Sequence, residues 1–244
     1  MAAEEKAGEE YSYSAMEEED DAFVCSTASL ELPMIDDWHV HLRQGLMSEV
    51  VVPLLRKRSG IRRCIVMPNT LPPVVSTQMA AEYREGLKKI EPNVDYKMLL
   101  YLGPEITVED LERGKKTGFV TGVKSYPRGV TTNSEAGVES YESYYGLFSA
   151  MERLGLTLHI HGEVPGACVM EAEADFLPEL DALVDSFPQL KIVLEHVSTK
   201  SAVDKILQFQ RAGKKNVAAS VTAHHLDITI DAVVGCCHYF CKPV

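Results

Sequence analysis

Seven apolar, β-type runs, the first six each followed by an amphipathic helical run, order most of this sequence. The pattern predicts a strand over Met34–His41 and a helix over Ser48–Arg58, then Arg63–Asn69 and Thr77–Ile90, Tyr96–Leu102 and Val108–Thr117 with Thr107 as its cap. It continues with Phe119–Tyr126, a long polar loop and Tyr141–Leu154, then Thr157–His161 and Ala174–Ser186, Lys191–His196 and Ala202–Ala212, and a last strand over Asn216–His224. Strands alternating with helices of 10–15 residues imply βαβ units and a parallel sheet. Seven uninterrupted repeats exceed what open sheets of this type usually hold, so the expected fold class is α/β, a (β/α)8 TIM-type barrel with about seven of its eight strands present. The chain ends about twenty residues after the seventh run, at Val244. The expected organisation is therefore an acidic tail over 1–30 and an incomplete barrel over 31–244.

The polar residues fall at one end of these strands. His39 and His41 close the first, Asn69 the second and His161 the fifth; His196 closes the sixth, His224 ends the seventh and Lys124 lies near the end of the fourth. In parallel barrels several strands contribute active-site residues at their C-terminal ends, so these groups are expected at one mouth. A His-x-His pair on a strand points both rings to one face. With His161 and His196 it makes a plausible donor set for zinc, which favours imidazole nitrogen. Lys124, pointing inward among such histidines, would lose its proton through burial and neighbouring cations. Its neutral amine could then react with carbon dioxide to give a carbamate, an anionic ligand with two oxygens able to bridge two metals. A lysine that snorkels to solvent or pairs with an acid is the alternative. His159 suits packing better than ligation. His224 and His225, adjacent in a strand, cannot both face the mouth. Glu163 reads equally as a carboxylate orienting an imidazole or as a solvated loop acid, and His238 is assigned no role.

Charge and composition exclude other classes. Of a net charge of −12, residues 1–22 carry nine acids against one base, Lys6. So acidic a stretch, poor in branched apolar residues, reads as a disordered tail, and it lacks the Arg-rich or apolar character of import and export signals. No basic face suggests nucleic acid. No apolar run approaches the roughly 18 residues of a spanning helix, so a soluble protein without membrane association is expected. The six cysteines, Cys25, Cys64, Cys168, Cys236, Cys237 and Cys241, are scattered and fit reduced thiols in a cytoplasmic protein. The Cys236-Cys237-His238…Cys241 cluster lacks the second ligand pair of a structural zinc site.

The runs DDWHVHLRQG (36–45), VMPNTLPPV (66–74), GVKSYPRGVTTNS (122–134), HGE (161–163), LEHVSTKSA (194–202) and TAHHL (222–226) resemble dihydroorotase in its compact, monofunctional form, within the amidohydrolase superfamily. The likeness extends from about Pro33 to Val244. It implies reversible hydrolysis of the cyclic amide of dihydroorotate to carbamoyl aspartate, in pyrimidine (UMP) synthesis. It also implies two zinc ions per subunit, with His39 and His41 on one, His161 and His196 on the other, and carboxylated Lys124 bridging them. Arg43 and Asn69 match residues that grip the substrate carboxylate, and Thr131 and Thr132 match a mobile loop that closes over it. The expected partner is that small-molecule substrate; a homodimer is compatible with the reading. The family's catalytic aspartate ends strand eight, and no residue up to Val244 matches it, so no catalytic residue is assignable and the sequence as written is expected to be inactive alone. Hydantoinases share the lysine, while a one-metal deaminase needs no bridging carbamate. A truncated barrel acting as a non-catalytic interaction partner is the reading from a different class.

Overall fold

A computed structural model describes residues 33–234 and Pro243. The acidic tail, Cys25, Cys236, Cys237, His238 and Cys241 lie outside the described residues. Seven parallel strands pair in sequence order: β1 (Ile35–Val40), β2 (Ile61–Val66), β3 (Asp95–Tyr101), β4 (Val120–Ser125), β5 (Thr157–Ile160), β6 (Lys191–Leu194) and β7 (Val217–Ala219). Between them run α1 (Gly45–Val51), α2 (Leu54–Lys57), α3 (Thr77–Ile90), α4 (Val108–Thr117), α5 (Tyr145–Leu154), α6 (Ala172–Ser186) and α7 (Lys200–Arg211), with α8 (Ala223–Asp227) and α9 (Ile230–Val234) after β7.

The sheet is strongly curled. In a flat sheet β1 and β6 would lie about 24 Å apart, five spacings of about 4.8 Å. Instead His39 on β1 reaches Glu195, one residue past β6, at 3.0 Å. Only a sheet rolled toward a barrel brings these strands together. Among the described residues no strand pairs with both β7 and β1, and a cavity of about 890 Å³ lies between Ile35 and Trp38 on the β1 side and Ala218 and Ser220 on the β7 side.

Strand composition follows this geometry. A parallel strand covered on both faces reads as a near-continuous apolar run, and β3 buries Tyr96, Met98, Leu99, Leu100 and Tyr101. Met98 and Leu100 enter the main core, whereas Leu99 joins Ile65 and Met67 in a separate small cluster. Ser76, Thr107 and Thr199 each accept a backbone N–H of the first turn of α3, α4 and α7, relieving donors that a helix start leaves unpaired. Gly118 ends α4 in the left-handed region at φ 73°, where a side chain would be strained.

Apart from bounds shifted by one to three residues, as where β2 ends at Val66 and leaves Asn69 beyond it rather than closing it, the structure departs from the sequence expectation in three places. The helix expected over Ser48–Arg58 is two short ones, because Pro53 has no N–H to donate and its ring crowds the preceding turn. The helix expected from Tyr141 begins as a 3-10 turn at Glu142–Tyr144. The last strand is only Val217–Ala219: Thr222 accepts from the His225 N–H and starts α8, so His224 and His225 sit on a helix rather than at a strand end.

Candidate functional site

β1, β4, β5 and β6 deliver five side chains to their C-terminal rim. His39 lies on β1 and His41 one residue beyond it; Lys124 is the fifth residue of β4; His161 follows β5 and His196 follows β6 by two residues. The rings form a chain of contacts, His41 to His39 at 5.3 Å between centroids, His39 to His196 at 4.9 Å, and His196 to His161 at 4.7 Å. Lys124 and His159 are register partners across β4 and β5, so both point to the same face. The sequence-distant groups therefore share one mouth.

The electrostatics are those of dry, crowded nitrogen bases. Lys124 is fully buried, and burial pulls its pKa from 10.5 to about 7 against the opposing pull of the Glu195 carboxylate. Burial, reinforced by neighbouring His39, Arg43 and Lys124, brings His41 down to about 3. Burial likewise lowers His39, His161 and His196, holding the imidazoles neutral and their lone pairs available.

Carboxylates stand behind these rings. His161 meets Glu163 through Nε2 at 2.5 Å, leaving Nδ1 for another partner. His39 meets Glu195 through Nδ1 at 3.0 Å, leaving Nε2. A carboxylate on one ring nitrogen, with the other directed inward, is the usual support of a metal-binding histidine. Lys124 Nζ and His196 Nδ1 are buried without a hydrogen-bond partner, as groups awaiting an ion are. The donor set thus fits divalent cations. Among the described residues, however, no three His, Cys, Asp or Glu side chains enclose a cation site by themselves. The lysine is the additional donor that a two-cation reading requires.

The other sequence-selected residues gather on the β1–β2 side of the mouth. His41, Arg43, Asn69 and Asn133 line a pocket of about 200 Å³. Asn69 is buried and donates through Nδ2 to the Thr132 carbonyl at 2.9 Å, while Asn133 Nδ2 donates to the Asn69 carbonyl at 2.9 Å. Thr132 is thereby tied to Asn69 beside the pocket, and Ser134 Oγ closes the turn on both the N–H and the carbonyl of Thr131. Among the described residues the three non-glycine positions with left-handed backbone are Arg43, Asn133 and His196, all at this mouth. Strain of that kind concentrates where function fixes the chain.

Sequence reasoning missed Glu195. Its signal was an acid near the end of an otherwise apolar strand, where only a paired carboxylate can be buried. His159, expected to pack rather than ligate, is buried, and its Nδ1 meets Glu195 at 2.5 Å. His224 and His225 stack on each other at 4.3 Å on α8.

The amidohydrolase family model matches residues 98–209. The dihydroorotase of Mycosarcoma maydis is 43% identical over 224 residues, which are 90% of this chain and 55% of that protein. A probable dihydroorotase of Schizosaccharomyces pombe is 44% identical over 219 residues, 88% of this chain and 63% of that one. Among solved structures, Saccharomyces cerevisiae dihydroorotase in complex with 5-fluoroorotic acid superposes with a TM-score of 0.84 at 38% identity, over 88% of this chain and 63% of that one. An L-hydantoinase (dihydropyrimidinase) from Arthrobacter aurescens, at TM-score 0.65 and 19% identity, shares the fold. The curled parallel sheet and the match over residues 98–209 agree with an incomplete barrel of the amidohydrolase class. Within that class the chain is similar to dihydroorotases, and it spans 55–63% of the length of these relatives.

Proposed function

We propose that this chain carries the metal and substrate-carboxylate side of a dihydroorotase site, for reversible hydrolysis of a cyclic amide in pyrimidine synthesis. The observation that carries the reading is the gathering of His39, His41, Lys124, His161 and His196 at one rim, with the lysine amine buried and without a hydrogen-bond partner. The similarity to dihydroorotases of three fungi supports it and does not favour the interaction-module alternative. His39 and His41 would hold one zinc ion, His161 and His196 a second, and Lys124 as its carbamate would join them. Bound there, a zinc pair supplies Lewis-acid polarisation of an amide carbonyl and acidifies water.

The chain's own residues then bind and orient. Arg43 has the planar fork that matches a carboxylate in two parallel hydrogen bonds, and Asn69 beside it offers amide donors. Gripping the substrate carboxylate there would direct the ring amide toward the imidazoles and supply the orientation that makes addition of water effectively intramolecular. To use both Asn69 Nδ2 hydrogens the substrate competes with the Thr132 carbonyl, so loop position and occupancy of the pocket are linked. In the hydrolytic direction the carbonyl carbon gains the water oxygen, its bond to the ring nitrogen breaks, and that nitrogen takes a proton. Among the described residues no helix is long and apolar enough to cross a membrane. Calorimetric titration of the zinc-loaded chain with dihydroorotate tests the reading. Saturable binding that Arg43→Ala and Asn69→Ala each weaken at least tenfold is expected; absence of binding, or binding indifferent to both substitutions, overturns it.

A further inference from the structure

Glu195 follows β6 and is 1% exposed, yet its two oxygens meet three partners from three other strands or their ends. Oε2 meets His39 Nδ1 at 3.0 Å and the Ser220 hydroxyl, and Oε1 meets His159 Nδ1 at 2.5 Å. Ser220 Oγ in turn accepts the His196 N–H at 2.8 Å. One carboxylate so ties β1, β5 and the segment after β7 to the residue beside His196.

An ionised carboxylate only accepts hydrogen bonds, so each of its three partners must donate. Ser220 uses a lone pair for the His196 N–H and directs its single hydroxyl proton to Glu195. Both imidazoles must carry their proton on Nδ1. The His39 ring then turns a bare Nε2 lone pair toward the mouth, where His196 lies 4.9 Å away between centroids. His159, held by Oε1, keeps the carboxylate from rotating away from His39.

We infer that Glu195 is a positioning residue that locks His39 and His159 together as Nδ1–H tautomers, so that His39 offers Nε2 as its only free donor atom. The consequence for cation binding rests on the zinc reading above; the tautomer lock does not. Glutamine at this position has one accepting oxygen and one donating amide, so it cannot accept from both rings and would force one of them to move its proton to Nε2.

The test uses the whole chain labelled with ¹⁵N-histidine, with long-range ¹H–¹⁵N correlation spectra of the metal-free protein and peaks assigned through His39→Asn and His159→Asn. Both rings are expected as Nδ1–H tautomers in the wild type, and at least one as Nε2–H in Glu195→Gln. Zn²⁺ titration of Glu195→Gln is expected to show affinity about 10- to 100-fold weaker than wild type. Ser220→Ala, which leaves both imidazole bonds in place, is expected to keep both tautomers and lose less. A wild-type spectrum with Nε2–H on either ring overturns the inference without recourse to any variant. So does a folded Glu195→Gln whose tautomers and Zn²⁺ affinity match the wild type. Two Nδ1–H tautomers in a wild-type chain that takes up no Zn²⁺ would refute the zinc reading and leave the anchoring role of Glu195 standing.

Discussion

Replacing Lys124 with methionine should stabilise the metal-free chain, against the usual direction of core substitutions. Lys124 is fully buried, its Nζ has no hydrogen-bond partner, and burial, opposed by Glu195, brings its pKa from 10.5 to about 7. The unfolded chain protonates this amine freely; the folded chain resists. At about 1.36 kcal/mol per tenfold change in proton affinity, the difference penalises folding by about 4 kcal/mol at pH 7. The penalty is complete below about pH 7 and fades as pH rises toward 10.5, where the unfolded chain also loses the proton. By pH 8.5 it should have fallen to about 3 kcal/mol. Methionine nearly conserves volume and removes the charge. Urea melts in metal-free, CO₂-free buffer should therefore show Lys124→Met more stable than wild type by about 2–4 kcal/mol at pH 7. The advantage should shrink by about 1.5 kcal/mol between pH 7 and 8.5. Groups titrating in both proteins, such as the buried Cys64 thiol pushed up to about 12, cancel in the difference. A variant no more stable than wild type at pH 7, or an advantage that does not change with pH, would refute the reasoning.

Three further perturbations probe how the mouth is held. Glu173 on α6 accepts the N–H groups of Ser198 and Thr199 and the Thr199 hydroxyl just beyond His196; Glu173→Ala should cost about 2–4 kcal/mol in a urea melt by orphaning those donors. At Gly162 a β-carbon would stand 2.4 Å from Leu194 Cδ1 and 3.1 Å from Phe176 Cδ1, so Gly162→Ala should destabilise by about 1–3 kcal/mol through overpacking and disturb the neighbouring His161 resonances. Thr107→Ala removes the acceptor for the Asp110 N–H at the start of α4, and its thermal midpoint should fall by an amount corresponding to about 1 kcal/mol.

Much of the layout could be read before any coordinates. Local signals placed α3 and α4 at their observed bounds, because their apolar spacing is regular and Thr107 was legible as the cap of α4. The strand-end positions of His39, Lys124, His161 and His196 sufficed to bring them to one rim, since parallel βαβ topology fixes which strand ends meet. The misses have physical causes. Pro53 outweighed the helical periodicity around it. Thr222 had the choice of continuing β7 or capping α8, and with so little strand to extend, the cap won. The pairing of Glu195 with His159 escaped because an acid and a base in apolar strands look like separate anomalies until the register of β5 on β6 brings them together.

Zinc K-edge X-ray absorption on the zinc-loaded chain, read with its metal stoichiometry, bears most directly on the convergence of these side chains into a cation-binding cluster. Two zinc ions per chain, surrounded by nitrogen and oxygen neighbours at about 2.0–2.2 Å and reduced to fewer than two by Lys124→Met, is the expected result. Failure to take up zinc, or a first shell containing sulfur, would contradict it.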